Sequence, residues 1–139
     1  MSIEQNKAVV RRYITEVLVG GNVDLVDELL AADYVNVGMG GMDRDGFRSW
    51  LNVASAGPGG RTEIEELVGE GDVVVARFTY AIKLPDGEDV AARGIAYYRL
   101  ASGRIVEDDA MTTPDLKQVF ASQMPSSTAL AAESRRSSV

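Results

Sequence analysis

Hydrophobic and polar positions along this chain change their period once, from helical to alternating. Between Ser2 and Leu18 the apolar residues Val10, Tyr13, Ile14, Val17 and Leu18 recur on one helix face, and Ser2 with Gln5 three positions on fits a capping box. Gly20-Gly21 predicts the end of that helix. Asn22 is placed to cap a second helix, with Asp24, Asp27 and Glu28 near its positive N-terminus and Val26, Leu29 and Leu30 as its apolar stripe. Tyr34 to Val37 reads as a short strand that runs into Gly38-Met39-Gly40-Gly41. Asp43 then caps a third helix, where Phe47, Trp50, Leu51 and Ala54 keep the i, i+3, i+4, i+7 spacing until Gly57-Pro58-Gly59-Gly60 breaks it.

From Arg61 to Thr112 the period becomes two. Strands are expected at 62–69, 73–84, 88–100 and 104–112, joined by Glu70-Gly71-Asp72, Pro85-Asp86-Gly87 and Ala101-Ser102-Gly103. Pro114 ends the last strand, and Asp115 to Ser122 is expected to add a short helix. Helices first and strands afterwards predict an α+β fold in which three N-terminal helices cover one curved antiparallel sheet, a cone-like arrangement that the family resemblance described below also implies. Residues 1–124 read as a single domain, and the Ser/Ala-rich stretch 125–139 as a flexible C-terminal tail. No basic segment leads into an apolar stretch at the start, and no apolar run approaches the ~18 residues of a membrane span, so a cytoplasmic location is expected.

Composition narrows the chemistry sharply. The 139 residues include no cysteine and no histidine, which removes thiol nucleophiles, thiolate and imidazole metal ligands, imidazole bases and any Ser-His-Asp triad. A net charge of -7 repels phosphate backbones and anionic lipid, so neither nucleic acid nor a membrane surface is an expected partner. A chain of this size removes roughly two thirds of its unfolded surface from water, enough for a core and a ligand cavity of roughly a few hundred Å³.

The last hairpin carries the strongest functional signal. With Ala101-Ser102-Gly103 as a three-residue loop, Leu100 pairs with Arg104, Tyr98 with Val106, Ala96 with Asp108 and Gly94 with Ala110. One face then holds Val90, Ala92, Gly94, Ala96, Tyr98, Leu100, Val106, Asp108 and Ala110; the other holds Arg93, Ile95, Tyr97, Arg99, Ile105, Glu107 and Asp109. Glu107 and Asp109 read as diagonal partners of Arg99 and Arg93. Asp108 is a lone carboxylate on an apolar face, where desolvation raises its pKa toward a range useful for acid–base work, and the small Gly94, Ala96 and Ala110 leave space beside it. Tyr13, on the apolar stripe of the first helix, could point its phenol into the same cavity. The run Glu107-Asp108-Asp109 is a poor metal site, because adjacent strand residues point to opposite faces.

The helix–helix–strand–helix–four-strand order, with Asp24-Leu25-Val26-Asp27-Glu28-Leu29-Leu30-Ala31-Ala32-Asp33-Tyr34-Val35-Asn36, resembles the SnoaL-like polyketide cyclases. So do Gly71-Asp72-Val73-Val74-Val75-Ala76-Arg77-Phe78-Thr79 and Tyr98-Arg99-Leu100-Ala101-Ser102-Gly103-Arg104-Ile105-Val106-Glu107. These cyclases lie in the nuclear transport factor 2-like superfamily, with ketosteroid isomerase and limonene epoxide hydrolase, and the resemblance covers residues 3–123. It implies that Asp108 is the acid–base carboxylate, that Tyr13 falls where the isomerase keeps an oxyanion-stabilising tyrosine, and that the chain forms a homodimer through the outer sheet face. Departures from the family pattern are equally specific. Val37 and Gly94 stand where the cyclases carry histidines, Gly38 near the isomerase's general base, and Ala96 near its second oxyanion acid.

The sequence therefore points to an enzyme: a cofactor-independent cyclase, with no metal, that closes a ring in a polyketide-like intermediate by aldol-type or pericyclic chemistry. Its partner is an apolar small molecule. Asp108 and Tyr13 are the expected catalytic residues, and Asn36, Trp50, Phe78, Gly94, Ala96 and Tyr98 the expected substrate contacts. Two alternatives stand beside it: an epoxide-opening enzyme using Arg77, Asp108, Tyr13 and Asn36, and a non-catalytic small-molecule-binding dimer module.

Overall fold

The N-terminal capping box forms as the spacing predicts. Ser2 Oγ accepts from the Gln5 N–H at 3.1 Å, and Gln5 Oε1 accepts from the Ser2 N–H at 2.8 Å, starting helix α1 (Ile3–Arg12). A computed structural model describes residues 1–55, 60–83, 87–115 and 118. Beyond Arg12 the helix widens into a π-helical segment (Tyr13–Val19), with Gly20 N–H reaching back five residues to Thr15 O. Asn22 Oδ1 accepts from the Asp24 N–H and opens a short 3₁₀ turn (Val23–Leu25) that leads into α2 (Val26–Leu29). Strand β1 (Leu30–Asn36) and a two-residue β2 (Met42–Asp43) follow. Asp43 Oδ1 then accepts from the Gly46 N–H at 2.8 Å and caps α3 (Arg44–Ala54), a contact worth about 1 kcal/mol. The long strands are β3 (Gly60–Glu70), β4 (Val73–Lys83), β5 (Asp89–Ala101) and β6 (Arg104–Thr113). The expected helix at 115–122, apart from Asp115 and Gln118, and the 125–139 tail lie outside the described residues, as do parts of the 57–60 and 85–87 breaks.

The six strands form one curved, unclosed sheet in the order β2-β1-β6-β5-β4-β3, so the α+β architecture is the expected one. One pairing departs from it. The sheet is mixed, because β1 lies parallel beside β6, with Val35 opposite Glu107 and Asn36 opposite Asp108. Helix α3 and four strands, β2 to β5, separate the two in sequence, so no tight hairpin constrains their relative direction. Helix α1 and its π-helical extension pack on the long strands and α3 packs on β1, burying Val10, Val17, Leu29, Phe47, Leu51, Val74 and Leu100 against the concave face. Among the described residues no helix is long and apolar enough to cross a membrane.

The β5–β6 hairpin differs from expectation in two ways that cancel. Its turn is Ser102-Gly103, both at positive φ (52° and 79°), so Ala101 faces Arg104 and Leu100 faces Ile105. Continued evenly, that register would turn Glu107 and Asp109 inward. A bulge inserts Val106 as an unpaired residue, after which Arg99 faces Glu107, Tyr98 faces Asp108, Ala96 faces Ala110 and Gly94 faces Thr112. Asp108 is therefore inward, but opposite Tyr98 rather than Ala96, and Ile105 takes the buried place expected for Val106. The Arg99–Glu107 pair forms at 3.0 Å. Asp109, shifted to face Tyr97, is not the diagonal neighbour of Arg93, which faces Thr113.

Candidate active site

Four elements converge on one carboxylate. β6 contributes Asp108, which is 3% exposed. The parallel neighbour β1 contributes Asn36 directly beside it, and Tyr34 two positions earlier on the same face. Tyr13, the first residue of the π-helical segment, descends from above, and Tyr98 stands across the ladder on β5. The Val37 N–H donates to the Asp108 backbone oxygen at 2.7 Å, which ties the end of β1 to this point of β6.

The hydrogen bonds to Asp108 are one-sided. Tyr13 OH donates to Oδ2 at 2.6 Å, within the range of a charge-assisted O–H···O⁻ bond. Tyr34 OH lies 3.2 Å from Oδ2 and 3.2 Å from the Tyr13 oxygen, so its single proton is shared between those two acceptors. Asn36 Nδ2 donates to the Tyr34 oxygen at 3.0 Å and reaches Oδ2 at 3.4 Å, while Asn36 Oδ1 accepts from the Met39 N–H at 3.1 Å. All three donors address Oδ2. Among the described residues Oδ1 receives none, and it is not sealed in the core, the sealed and unpaired side-chain atom being Asn6 Oδ1.

Burial pushes the Asp108 pKa up to about 6, against the opposing pull of the Tyr13 and Tyr34 hydrogen bonds; the nearby Asp109 charge adds to the rise. Burial, reinforced by the Asp108 charge, holds the Tyr13, Tyr34 and Tyr98 hydroxyls well above their usual phenol pKa, so they remain donors at neutral pH. With Oδ2 saturated by donors, the proton of neutral Asp108 belongs on Oδ1.

Asp108 borders a cavity of about 130 Å³, smaller than the few hundred Å³ expected because the aromatic side chains fill the concave face. Tyr13, Asn36, Trp50, Phe78, Tyr98 and Asp108 all line it, together with Gly38, Met39, Thr62, Tyr80, Ala110 and Thr112. Phe47 braces the group from the core, its ring centroid 5.8 Å from both Tyr13 and Tyr34 and 5.7 Å from Trp50. Two expected contacts are not in the site. Gly94 does not open space beside Asp108, because the Phe78 ring lies over it; a Cβ there would come within 2.5 Å of Phe78 Cζ. Ala96 is fully buried in the core between its ladder neighbours Ala76 and Ala110. Arg77 also stands apart, half-exposed on the outer face, where it pairs with Glu65 at 3.6 Å. The Arg77-containing epoxide-opening set is therefore not assembled.

Tyr34 is the member that sequence reasoning did not single out. Its signal was available: in a strand, an inward Asn36 requires an inward Tyr34. Tyr13, expected in the cavity, lies there with its hydroxyl donating to Asp108 Oδ2.

The sequence profile of the SnoaL-like domain family matches residues 10–108, from the first helix to Asp108 itself. The chain belongs to the SnoaL-like family. Solved structures agree in fold. A proposed SnoaL-like polyketide cyclase from Jannaschia sp. CCS1 superposes with a TM-score of 0.71 at 20% identity, over 91% of this chain and 96% of that one. A proposed polyketide cyclase from Acidithiobacillus ferrooxidans gives 0.70 at 20% identity, over 88% and 99%. IdmH, a proposed polyketide cyclase from Streptomyces antibioticus, gives 0.67 at 21% identity, over 81% and 98%. At these identities the likeness establishes the fold. Sequence comparison with curated proteins finds no match.

Proposed function

We propose that this SnoaL-like chain is a cofactor-independent cyclase that closes a ring in a polyketide-like intermediate. The observation that carries the reading is Asp108, a buried carboxylate whose Oδ2 is held by Tyr13, Tyr34 and Asn36 and whose Oδ1 is left for the cavity. With a pKa of about 6 it is mostly ionised at neutral pH yet close enough to exchange a proton, as a general base must be. Tyr13, Tyr34 and Asn36 act through it as positioning residues. An apolar cavity that folds a flexible chain supplies part of the barrier reduction by orientation alone, which serves aldol-type and pericyclic closure alike. Among the described residues no group of three or more carboxylates, thiols or imidazoles is placed to hold a metal ion; Glu107 points away from Asp108 to pair with Arg99.

The chain is also proposed to form a homodimer through the outer sheet face, where Ile95 and Met111 are 45% and 72% exposed among charged neighbours. The cyclase reading is tested by incubating the protein with linear poly-β-ketone and polyene-ketone substrates and following isobaric or singly dehydrated cyclic products by mass spectrometry and NMR. Ring closure that slows on the order of 10²–10⁴ in Asp108→Asn supports it. Saturable binding with every substrate recovered unchanged overturns it in favour of a binding module.

A further inference from the structure

We infer that Tyr98 holds the substrate's reacting carbonyl oxygen, and that the ligand of the cavity is a neutral carbonyl compound presenting a single ring's volume. The inference deepens the cyclase reading and rests on it. Three phenols surround Asp108, and each has one proton to give. The Tyr13 proton lies on Oδ2, and that of Tyr34 is shared between Oδ2 and the Tyr13 oxygen. Tyr98 is different. It faces Asp108 directly across the β5–β6 ladder, is 2% exposed, and stacks edge-on against Tyr13 at 5.8 Å and 78°. Its hydroxyl makes no hydrogen bond with a described residue and is not sealed away, and the residue lines the cavity. A buried phenol with no acceptor among the described residues is unfavourable, and a ligand oxygen supplies one. Burial and the Asp108 charge keep that phenol protonated, so it arrives as a donor.

The cavity wall restricts what that oxygen belongs to. Among the described residues its lining contains the carboxylates Asp108 and Asp115 and no lysine, arginine or histidine, so an anionic group would meet repulsion there. A neutral ketone fits. Tyr98 and Asp108 face each other across the β5–β6 ladder and line the same cavity, so one bound carbonyl compound can meet both. Asp108 Oδ1 takes the α-proton, and the C–H electron pair becomes the enolate C=C. The carbonyl π pair moves onto the oxygen held by Tyr98. The enolate C=C pair then forms the bond to a second carbonyl carbon of the same molecule as the first C=O re-forms, and the second carbonyl's π pair moves onto its oxygen, which receives the proton back from Asp108. At about 130 Å³ the cavity is close to the roughly 150 Å³ that accommodates one benzene ring.

The test uses 2-cyclohexen-1-one labelled with ¹³C at the carbonyl, read by isotope-edited infrared spectroscopy. In the wild-type protein and in Tyr13→Phe the bound carbonyl band is expected to move to lower frequency, and in Tyr98→Phe that displacement is expected to vanish. Replacement of Tyr98 by 3-fluorotyrosine keeps the ring and strengthens the donor, so the displacement should grow. An undisplaced band in the wild-type protein, or a displaced band that survives Tyr98→Phe, overturns the inference. A displaced band with 1-tetralone, one fused ring larger, overturns the size limit. The measurement needs no turnover, so failure to close any ring defeats the cyclase reading while leaving this result standing.

Discussion

At the scale of single residues, the burial that suits Asp108 to its proposed acid–base role also costs stability. The unfolded chain releases the Asp108 proton near its ordinary value of 3.8, whereas the folded chain keeps it to about pH 6. As pH rises between those values the unfolded state binds fewer protons, so the contribution of Asp108 to stability is greatest below about pH 4 and falls until about pH 6, by on the order of 3 kcal/mol. Asp108→Asn removes that loss while still offering a carbonyl oxygen to Tyr13 and Tyr34. Denaturant titrations should find the variant equal to or more stable than wild type at pH 7, with the advantage shrinking toward pH 4. Glu107→Gln should lose at most about 1 kcal/mol through the exposed Arg99 pair and leave the rate unchanged. If Asp108 is the base, kcat/KM rises with pH through about 6 and then levels. Tyr13→Phe removes a hydrogen bond that favours the carboxylate, so the rising limb should move to higher pH; a limb that stays in place would contradict the base assignment.

At the scale of elements, the site depends on two irregularities of β6 and its neighbour. The bulge at Val106 restores Asp108 to the concave face after a two-residue turn has set the opposite parity. The parallel placement of β1 then delivers Tyr34 and Asn36 to Oδ2. Gly38, two residues past the end of β1, lies against β6, and a Cβ there would lie 2.7 Å from Ala110 O and 2.9 Å from Ala110 N. Both are backbone atoms of a paired strand and cannot rotate away. Gly38→Ala should destabilise by about 1–3 kcal/mol and shift Asn36 relative to Asp108, readable as a lower unfolding midpoint together with a displaced pH–rate limb. An unchanged midpoint would mean that β1 slides freely against β6.

At the scale of the whole molecule, one sheet serves two faces. Its concave side is capped by helices and holds the cavity, and its outer side carries Arg77, Arg93, Ile95, Arg99 and Met111. If that outer side pairs with a second copy, sedimentation equilibrium should give twice the 14.9 kDa chain mass. Met111→Arg should then shift the population to the monomer, because a further cation would be buried beside Arg77 and Arg93. A wild-type protein that sediments as a monomer at high concentration defeats the dimer proposal.

The one-dimensional pattern determined what depends on neighbours in sequence. Capping by Ser2 and Asp43, the helical stripe through Val10, Tyr13 and Val17, and the alternation of β4 and β5 were all legible, because local hydrogen bonding and side-chain period specify them. The isolation of Asp108 among apolar residues was legible for the same reason. Tertiary structure decided how the elements meet. The length of the Ser102-Gly103 turn and the Val106 bulge are alternative solutions to one parity problem, and only packing of Ile105 and Asp108 against the same core selects between them. The parallel β1–β6 pairing, which makes Tyr34 part of the site, is a contact across 74 residues that no local pattern encodes. The fate of small residues was settled in the same way. Gly94 marks space in the sequence, but Phe78 from the neighbouring strand occupies it, because a packed interior fills whatever volume a missing side chain leaves.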